Sequence, residues 1–252
     1  MSIPTSYNHN FYSQLSEGSL ASAKEIIPLI LEYINPDSVI DIGCGQGEWL
    51  SVWKLHGIQK IMGYDGPFVK QEELLISKEE FHVWDLEKEF NTTIKYDIAT
   101  SLEVAEHLKP EVAEQFINSL CKSSDFILFS AAIPGQEGTL HLNEQYPDYW
   151  INLFLKNNFS AYDCLREKIW NNNSIASWYR QNILIFILNS ELNKYPEIPK
   201  GKNQANAMIH PTIFEYKLNK IATYEKALKN PFYSFVYFIK KYLKALSSLF
   251  KK

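Results

Sequence analysis

The chain has 252 residues, 46% of them hydrophobic, enough for one globular domain with a full core and an appendage. Its net charge of −4 is unevenly spread: nine lysines and one acid, Glu225, lie from residue 217 on, leaving 16 basic and 28 acidic side chains, −12, in residues 1–216. So acidic a body argues against general nucleic-acid binding, which needs a basic surface for phosphates.

Taken in chain order, Ala23, Ile26, Ile27, Ile30, Leu31 and Ile34 fall at helical spacing and predict a helix over 17–34, with Pro28 a kink point. A strand is predicted at 38–42, a helix at 47–56 and strands at 58–64, 81–84 and 96–101. A helix at 110–121, a strand at 126–130 and a helix at 144–156 follow. Strands at 160–165 and 182–188 close the pattern. They are joined by a polar, tryptophan-bearing stretch over 170–181 without an evident helix, so they should be antiparallel. The alternation predicts an α/β fold: a Rossmann-like, seven-stranded, mostly parallel sheet with helices on both faces, plus a C-terminal helical extension. The expected organisation is a domain over 1–189, a linker over 190–216 and a basic amphipathic tail over 217–252, with helices at 218–229 and 232–250.

The run Val39-Ile40-Asp41-Ile42-Gly43-Cys44-Gly45-Gln46-Gly47-Glu48 reads as a buried strand, a tight turn and a helix start. Asp41 falls at the carboxyl end of its strand, where open α/β sheets hold ligands. A carboxylate there suits an ammonium or hydroxyl group and repels a pyrophosphate. The dinucleotide fingerprint G-x-G-x-x-G would need glycine where Glu48 stands, which disfavours a nucleotide-dependent dehydrogenase. A glycine turn that binds nothing is the other reading. Asp65, at the end of the second strand in Gly63-Tyr64-Asp65-Gly66, is placed to accept ribose hydroxyls; otherwise it is a solvated turn residue.

D-x-G-x-G-x-G resembles the first motif of class I S-adenosylmethionine-dependent methyltransferases. The resemblance covers 11–189 and extends to Ser101-Leu102-Glu103-Val104-Ala105-Glu106-His107-Leu108, to the loop A-I-P-G-Q-x-G-T-x-H-x-N-E-Q, and to Trp178-Tyr179-Arg180-Gln181-Asn182. It implies S-adenosyl-L-methionine as cofactor, held by Asp41, Gly43, Cys44, Gly45, Gly47, Asp65 and Gly66. Asp85 with Leu86 would meet the adenine, and Ser101, Leu102 and Glu103 would line the pocket. Asp85 is alternatively a helix or turn cap. Glu103, Glu106 and His107 would share one side of a helical turn, as a scaffold or a base.

A hydroxyl acceptor needs a base, and histidine is the usual one near pH 7. His141 is the first candidate, oriented by Glu144 or Glu106, and His107 the second; a purely structural His141 is the alternative. Asn143, Gln145, Tyr179 and Arg180 are candidates for acceptor contact. No metal site is expected, because the spacing is not H-E-x-x-H and no other histidine is near in sequence. The branch of the family resembled implies O-methylation of a sugar hydroxyl in a glycan or lipid-linked glycan. O- or N-methylation of a soluble metabolite and a non-catalytic scaffold are the rivals. The three cysteines, Cys44, Cys121 and Cys164, read as core residues of a reduced protein, and residues 1–10 lack the apolar run of a signal peptide. The expected location is cytoplasmic. Residues 231–252, apolar at helical spacing and lysine-rich, suit peripheral contact with an anionic membrane or a homodimer interface.

Overall fold

The computed structural model describes residues 9–90, 92–199, 203, 205–229 and, beyond these, 232, 235, 236, 239, 242 and 243. Most of the helix expected over 232–250 lies outside the described residues. Residues 16–208 form one compact unit, and the segments flanking them form another.

The larger unit is built on seven strands: β1 (Ser38–Ile42), β2 (Lys60–Asp65), β3 (Phe81–Val83), β4 (Ile98–Leu102), β5 (Phe126–Ser130), β6 (Phe159–Tyr162) and β7 (Leu184–Leu188). Their spatial order is β3-β2-β1-β4-β5-β7-β6. The strands from β3 to β5 pair in parallel, while β7 runs antiparallel to both β5 and β6, as the missing crossover between them requires. Every residue of β1, β4 and β5 is buried, which explains their unbroken apolar runs: helices cover both faces.

On one face, Ile26, Ile27 and Ile30 of α1 (His9–Ile30) share a core with Leu50 and Trp53 of α2 (Glu48–Leu55) and with Val39 and Ile98. On the other, Phe116, Ile117 and Leu120 of α3 (Ala113–Ser123) and Phe154 of α4 (Pro147–Lys156) pack on Ile40, Phe129 and Phe186. The Phe154 and Phe186 rings stack with centroids 3.8 Å apart.

Two differences from the sequence expectation are physical. The polar stretch before β7 contains two short helices, α5 (Arg166–Ile169) and α6 (Ser177–Asn182). The Arg166 guanidinium, buried and paired with Asp163, bonds the carbonyls of Gln181 and Asn206 at 3.0 Å each and holds this segment together. In the flanking unit, α7 (Pro211–Lys229) begins seven residues before the expected 218, inside the presumed linker. Pro211 opens it, and Nδ1 of His210 accepts the Thr212 amide at 3.2 Å, a start signal carried by an uncommon capping residue. Among the described residues, no helix is long and apolar enough to cross a membrane.

Candidate active site

The chain runs outward from β1 to β3 and returns to β4, so the strand order reverses between β1 and β4. The crevice beyond the carboxyl ends of those strands is where such sheets hold ligands. Gly43, Gly45 and Gly47 all adopt left-handed backbone there, with φ of 85°, 57° and 87°. A Cβ on Gly43 would overlap Val104, and one on Gly47 would sit 2.9 Å from Cγ1 of Ile76. A Cβ on Gly45 would meet only the Glu48 carboxylate, at 3.2 Å. Protein packing thus adds to the need for glycine at 43 and 47, while Gly45 borders open space.

Two buried carboxylates flank this turn. Oδ1 of Asp41 accepts the Thr100 hydroxyl at 2.6 Å. Burial pushes the Asp41 carboxyl up to about 7; the Thr100 bond opposes this, and the charges of Asp65 and Glu48 add to it. Asp65 accepts the Gly45 amide at 2.7 Å through one oxygen and the Gly66 amide at 2.6 Å through the other. Burial raises it to about 6, against the pull of those two amides. Neither acid has a lysine or arginine partner among the described residues, and the Ser101 hydroxyl between β4 and the crevice is buried without a hydrogen bond. This donor set lacks a cation and fits a ligand that brings positive charge and hydroxyl donors. Asp85, by contrast, is exposed: it accepts the Glu87 amide at 3.1 Å and pairs with Lys88, which is the turn-cap geometry. Leu86 packs on the core, and Gly66 gives room to the Phe68 ring.

After β4 the chain does not form the single helical side expected for Glu103, Glu106 and His107. Glu103 is left-handed, with φ 57°, and a short 3-10 turn spans Ala105–His107. The unusual conformation is held by bonds from the Glu103 amide to the Ser130 carbonyl at 2.9 Å and to its hydroxyl at 3.1 Å. Glu103 therefore leaves the helical side expected for it. Its carboxylate accepts Asn182 Nδ2 at 3.0 Å and Gln136 Nε2 at 2.9 Å. Gln136 Oε1 in turn accepts Gln181 Nε2 and Asn182 Nδ2, both at 2.9 Å. Gln136 belongs to the loop motif but is not one of its candidate site residues, and Thr100 carries no sequence signal of its own.

The loop after β5 folds over this turn. The backbone carbonyl of Glu106 accepts the amides of Leu142 at 2.7 Å and Asn143 at 2.9 Å. Glu144 binds the loop from inside, accepting the Gly135 amide at 2.7 Å and the Glu137 amide at 3.0 Å. Its Oε1 also lies 2.8 Å from Nδ1 of His141. That arrangement brings His141 onto His107, with ring centroids 4.7 Å apart and edge to face, although 34 positions separate them. Glu106 is fully buried beside them, and among the described residues neither carboxylate oxygen has a hydrogen bond of good geometry. Burial first, and then Glu103, push its carboxyl well above the usual range. His107 is held down to about 4 by burial and by His141.

The remaining candidates lie at the back of the pocket wall. The Tyr179 hydroxyl meets Ser19 Oγ at 3.0 Å, and its ring packs edge-on to Trp49. Arg180 Nη1 bonds the Trp170 carbonyl at 3.2 Å and Asn173 Oδ1 at 3.3 Å, which ties it to the 170–173 loop. Asn143 Oδ1 accepts Gln145 Nε2 at 2.9 Å, and Asn143 Nδ2 is buried without a partner.

A sheet of this order with an antiparallel seventh strand, and acids at the ends of its first two strands, defines the class I methyltransferase arrangement. Residues 17–165 match a family described as a methyltransferase domain, and the chain belongs to that family. S-adenosyl-L-methionine is its cofactor and methyl donor. Among solved structures, an O-methyltransferase family protein of Burkholderia thailandensis aligns at TM-score 0.53 and 11% identity, over 73% of this chain and 61% of that one. An O-methyltransferase-like protein of Nostoc punctiforme aligns at 0.53 and 14%, over 70% and 58%. DesVI of Streptomyces venezuelae aligns at 0.53 and 11%, over 72% and 98%. This chain therefore spans about three fifths of the length of the first two, and at these identities the likeness is one of fold. A comparison with curated proteins finds no match.

Asp41 and Asp65 are raised above the ordinary carboxyl value of 3.8, to about 7 and about 6, so the folded chain retains protons that the unfolded chain releases. Stability is then lost as pH rises through those values. The Asp41 share reaches about 4 kcal/mol once it is fully ionised. The ligand-free protein should lose Tm as pH rises from about 4 to about 7 by scanning calorimetry, and Asp41→Asn should flatten that slope. His107, held down to about 4, adds an opposite slope over the same range in both proteins, so the difference between them isolates Asp41. An unchanged slope in the variant would contradict an unpaired buried charge at position 41.

Proposed function

We propose that this methyltransferase methylates a hydroxyl group, and that the acceptor is a sugar of a glycan or lipid-linked glycan. The pairing of His141 with Glu144 beside the crevice carries the reading. Glu144 holds Nδ1, leaving Nε2 to take the hydroxyl proton while the carboxylate steadies the resulting imidazolium. Gly138 packs closely against the Nε2 edge of the ring, where a Cβ would overlap it, so only glycine lets the ring sit there. Exposed Leu140, Leu142 and Tyr146 on the same loop offer apolar surface to the C–H face of a sugar ring, and Asn143 and Gln145 offer polar contacts.

The cofactor wall comprises Asp41, Gly43, Cys44, Gly45, Gly47, Asp65, Ser101 and Leu102, with Asp41 and Asp65 accepting hydrogen bonds from ammonium and hydroxyl groups. When bound, the cofactor supplies an electrophilic methyl group and its own leaving group. The protein aligns the acceptor and removes one proton.

Nine lysines from residue 217 on, and exposed Phe214, Leu218, Ile221, Tyr224 and Leu228 along α7, support peripheral attachment to an anionic membrane, where a lipid-linked acceptor would lie. Each lysine at such a surface contributes about 1 kcal/mol.

Three outcomes test these assignments. In titration calorimetry, Asp65→Ala should weaken S-adenosylmethionine binding at least about tenfold, a loss of about 1.4 kcal/mol; undiminished affinity removes Asp65 from the cofactor wall. His141→Ala should keep cofactor affinity and lower kcat by about 10²- to 10⁴-fold, and full turnover would place the base elsewhere. Full-length protein should float with vesicles containing anionic lipid, and reversal of Lys240, Lys241 and Lys244 to glutamate should abolish this. Absence of flotation by the unaltered chain ends the membrane reading.

A further inference from the structure

Glu106 poses a problem that the methyl-transfer reading does not solve. It is fully buried, and among the described residues its carboxylate oxygens have no hydrogen bond of good geometry; the backbone amides of Glu106 and Ala132 only partly offset its burial. An unpaired carboxylate out of water is among the most unfavourable arrangements a fold can hold, and it is relieved by a proton or by a cation. Two imidazoles lie beside it. One potential ligand atom from each of Glu106, His107 and His141 can be chosen so that all three lie within 4.8 Å of one another. That separation lets a single ion bridge them with modest adjustment.

The surroundings match what metal ligands require. Glu144 meets Nδ1 of His141 at 2.8 Å, the second contact that fixes a ligating imidazole and leaves Nε2 for the ion. Gly138 lies close to that same Nε2 edge and, lacking a Cβ, leaves the only room there. Glu103 adds negative charge next to Glu106, and among the described residues no lysine or arginine is bonded to either acid.

We propose that Glu106, His107 and His141 hold a divalent transition-metal cation and that the acceptor hydroxyl is a further ligand of it. One carboxylate oxygen and two imidazole nitrogens suit Mn²⁺, Co²⁺ or Zn²⁺ better than Mg²⁺ or Ca²⁺, which prefer all-oxygen sites. Three protein ligands leave positions open. The hydroxyl-ligand clause rests on the reading above and changes how the proton leaves. With the ion present, His141 is a ligand, and the ion makes the hydroxyl acidic. The O–H proton passes to water, the oxygen forms its bond to the methyl carbon, and the departing sulfur keeps the electron pair of the S–C bond.

The test uses the full chain, stripped with chelator and free of cofactor and acceptor. Titration with MnCl₂ or CoCl₂ should show one ion per chain and a rise in Tm, and bound Co²⁺ should develop visible absorption typical of mixed N/O ligation. Glu106→Gln, a near-isosteric change that removes the unpaired charge, should weaken binding by about 100-fold, and His107→Gln should do likewise. Circular dichroism checks that both variants fold. No binding of Mn²⁺, Co²⁺ or Zn²⁺, or binding unchanged in two folded variants, overturns the site. Because these readouts need no turnover, they stand apart from the hydroxyl reading. Methyl transfer that survives full chelation, by a protein shown to bind the ion, overturns the hydroxyl-ligand clause alone.

Discussion

Asp41, Asp65, Glu103 and Glu106 lie at the carboxyl edge of one sheet, and none is bonded to a lysine or arginine among the described residues. Removing an ionised carboxylate from water is unfavourable unless something replaces the lost hydration. The fold supplies four different answers. Asp41 receives a hydroxyl from the neighbouring strand, Asp65 two backbone amides, and Glu103 two side-chain amides from distant segments. Glu106 receives no hydrogen bond of good geometry. Neutral donors bring no positive charge, so these carboxyls hold protons more tightly than usual, and a cationic ligand in the crevice would favour their ionised forms.

The sheet makes that concentration of charge tolerable. Its central strands are buried on both faces, and aromatic side chains such as Trp53, Phe129 and Phe154 fill the layers on either side. Close packing there is strongly stabilising, and losing a single buried phenylalanine costs about 3–5 kcal/mol. The glycine turn joins core and crevice. Val104 occupies the space beside Gly43 and Ile76 that beside Gly47, so the segments after β1, β2 and β4 brace one another directly.

The parts legible in the sequence are those governed by neighbours in the chain. The apolar run of β1 and the glycine spacing after it place strand, turn and helix to within a residue, and the antiparallel β7 follows from the missing crossover. What escapes is set by tertiary contact. The helices α5 and α6 are too short for periodicity, and Arg166 secures them through carbonyls 15 and 40 positions away. The left-handed backbone of Glu103 depends on Ser130 and sends its carboxylate to Asn182 and Gln136, rather than onto one helical side with Glu106, though its charge still acts on Glu106. His141 meets His107 only because the loop after β5 closes over the 3-10 turn, so no local pattern announces the pair. Asp85, a cofactor residue by motif position, lies in an exposed turn, where it accepts the Glu87 amide.

One carboxylate ties that loop to the chemistry. Glu144 receives the amides of Gly135 and Glu137 and also faces Nδ1 of His141. Any change in what the imidazole holds alters the charge that Glu144 shares with those two amides. Loop order and occupancy at the opposite edge of the ring are therefore thermodynamically linked, and the linkage runs both ways. If, as proposed, the acceptor engages His141, its binding would tighten the loop and a closed loop would raise its affinity; the exchange rates of the Gly135 and Glu137 amide protons would then report whether the pocket is loaded.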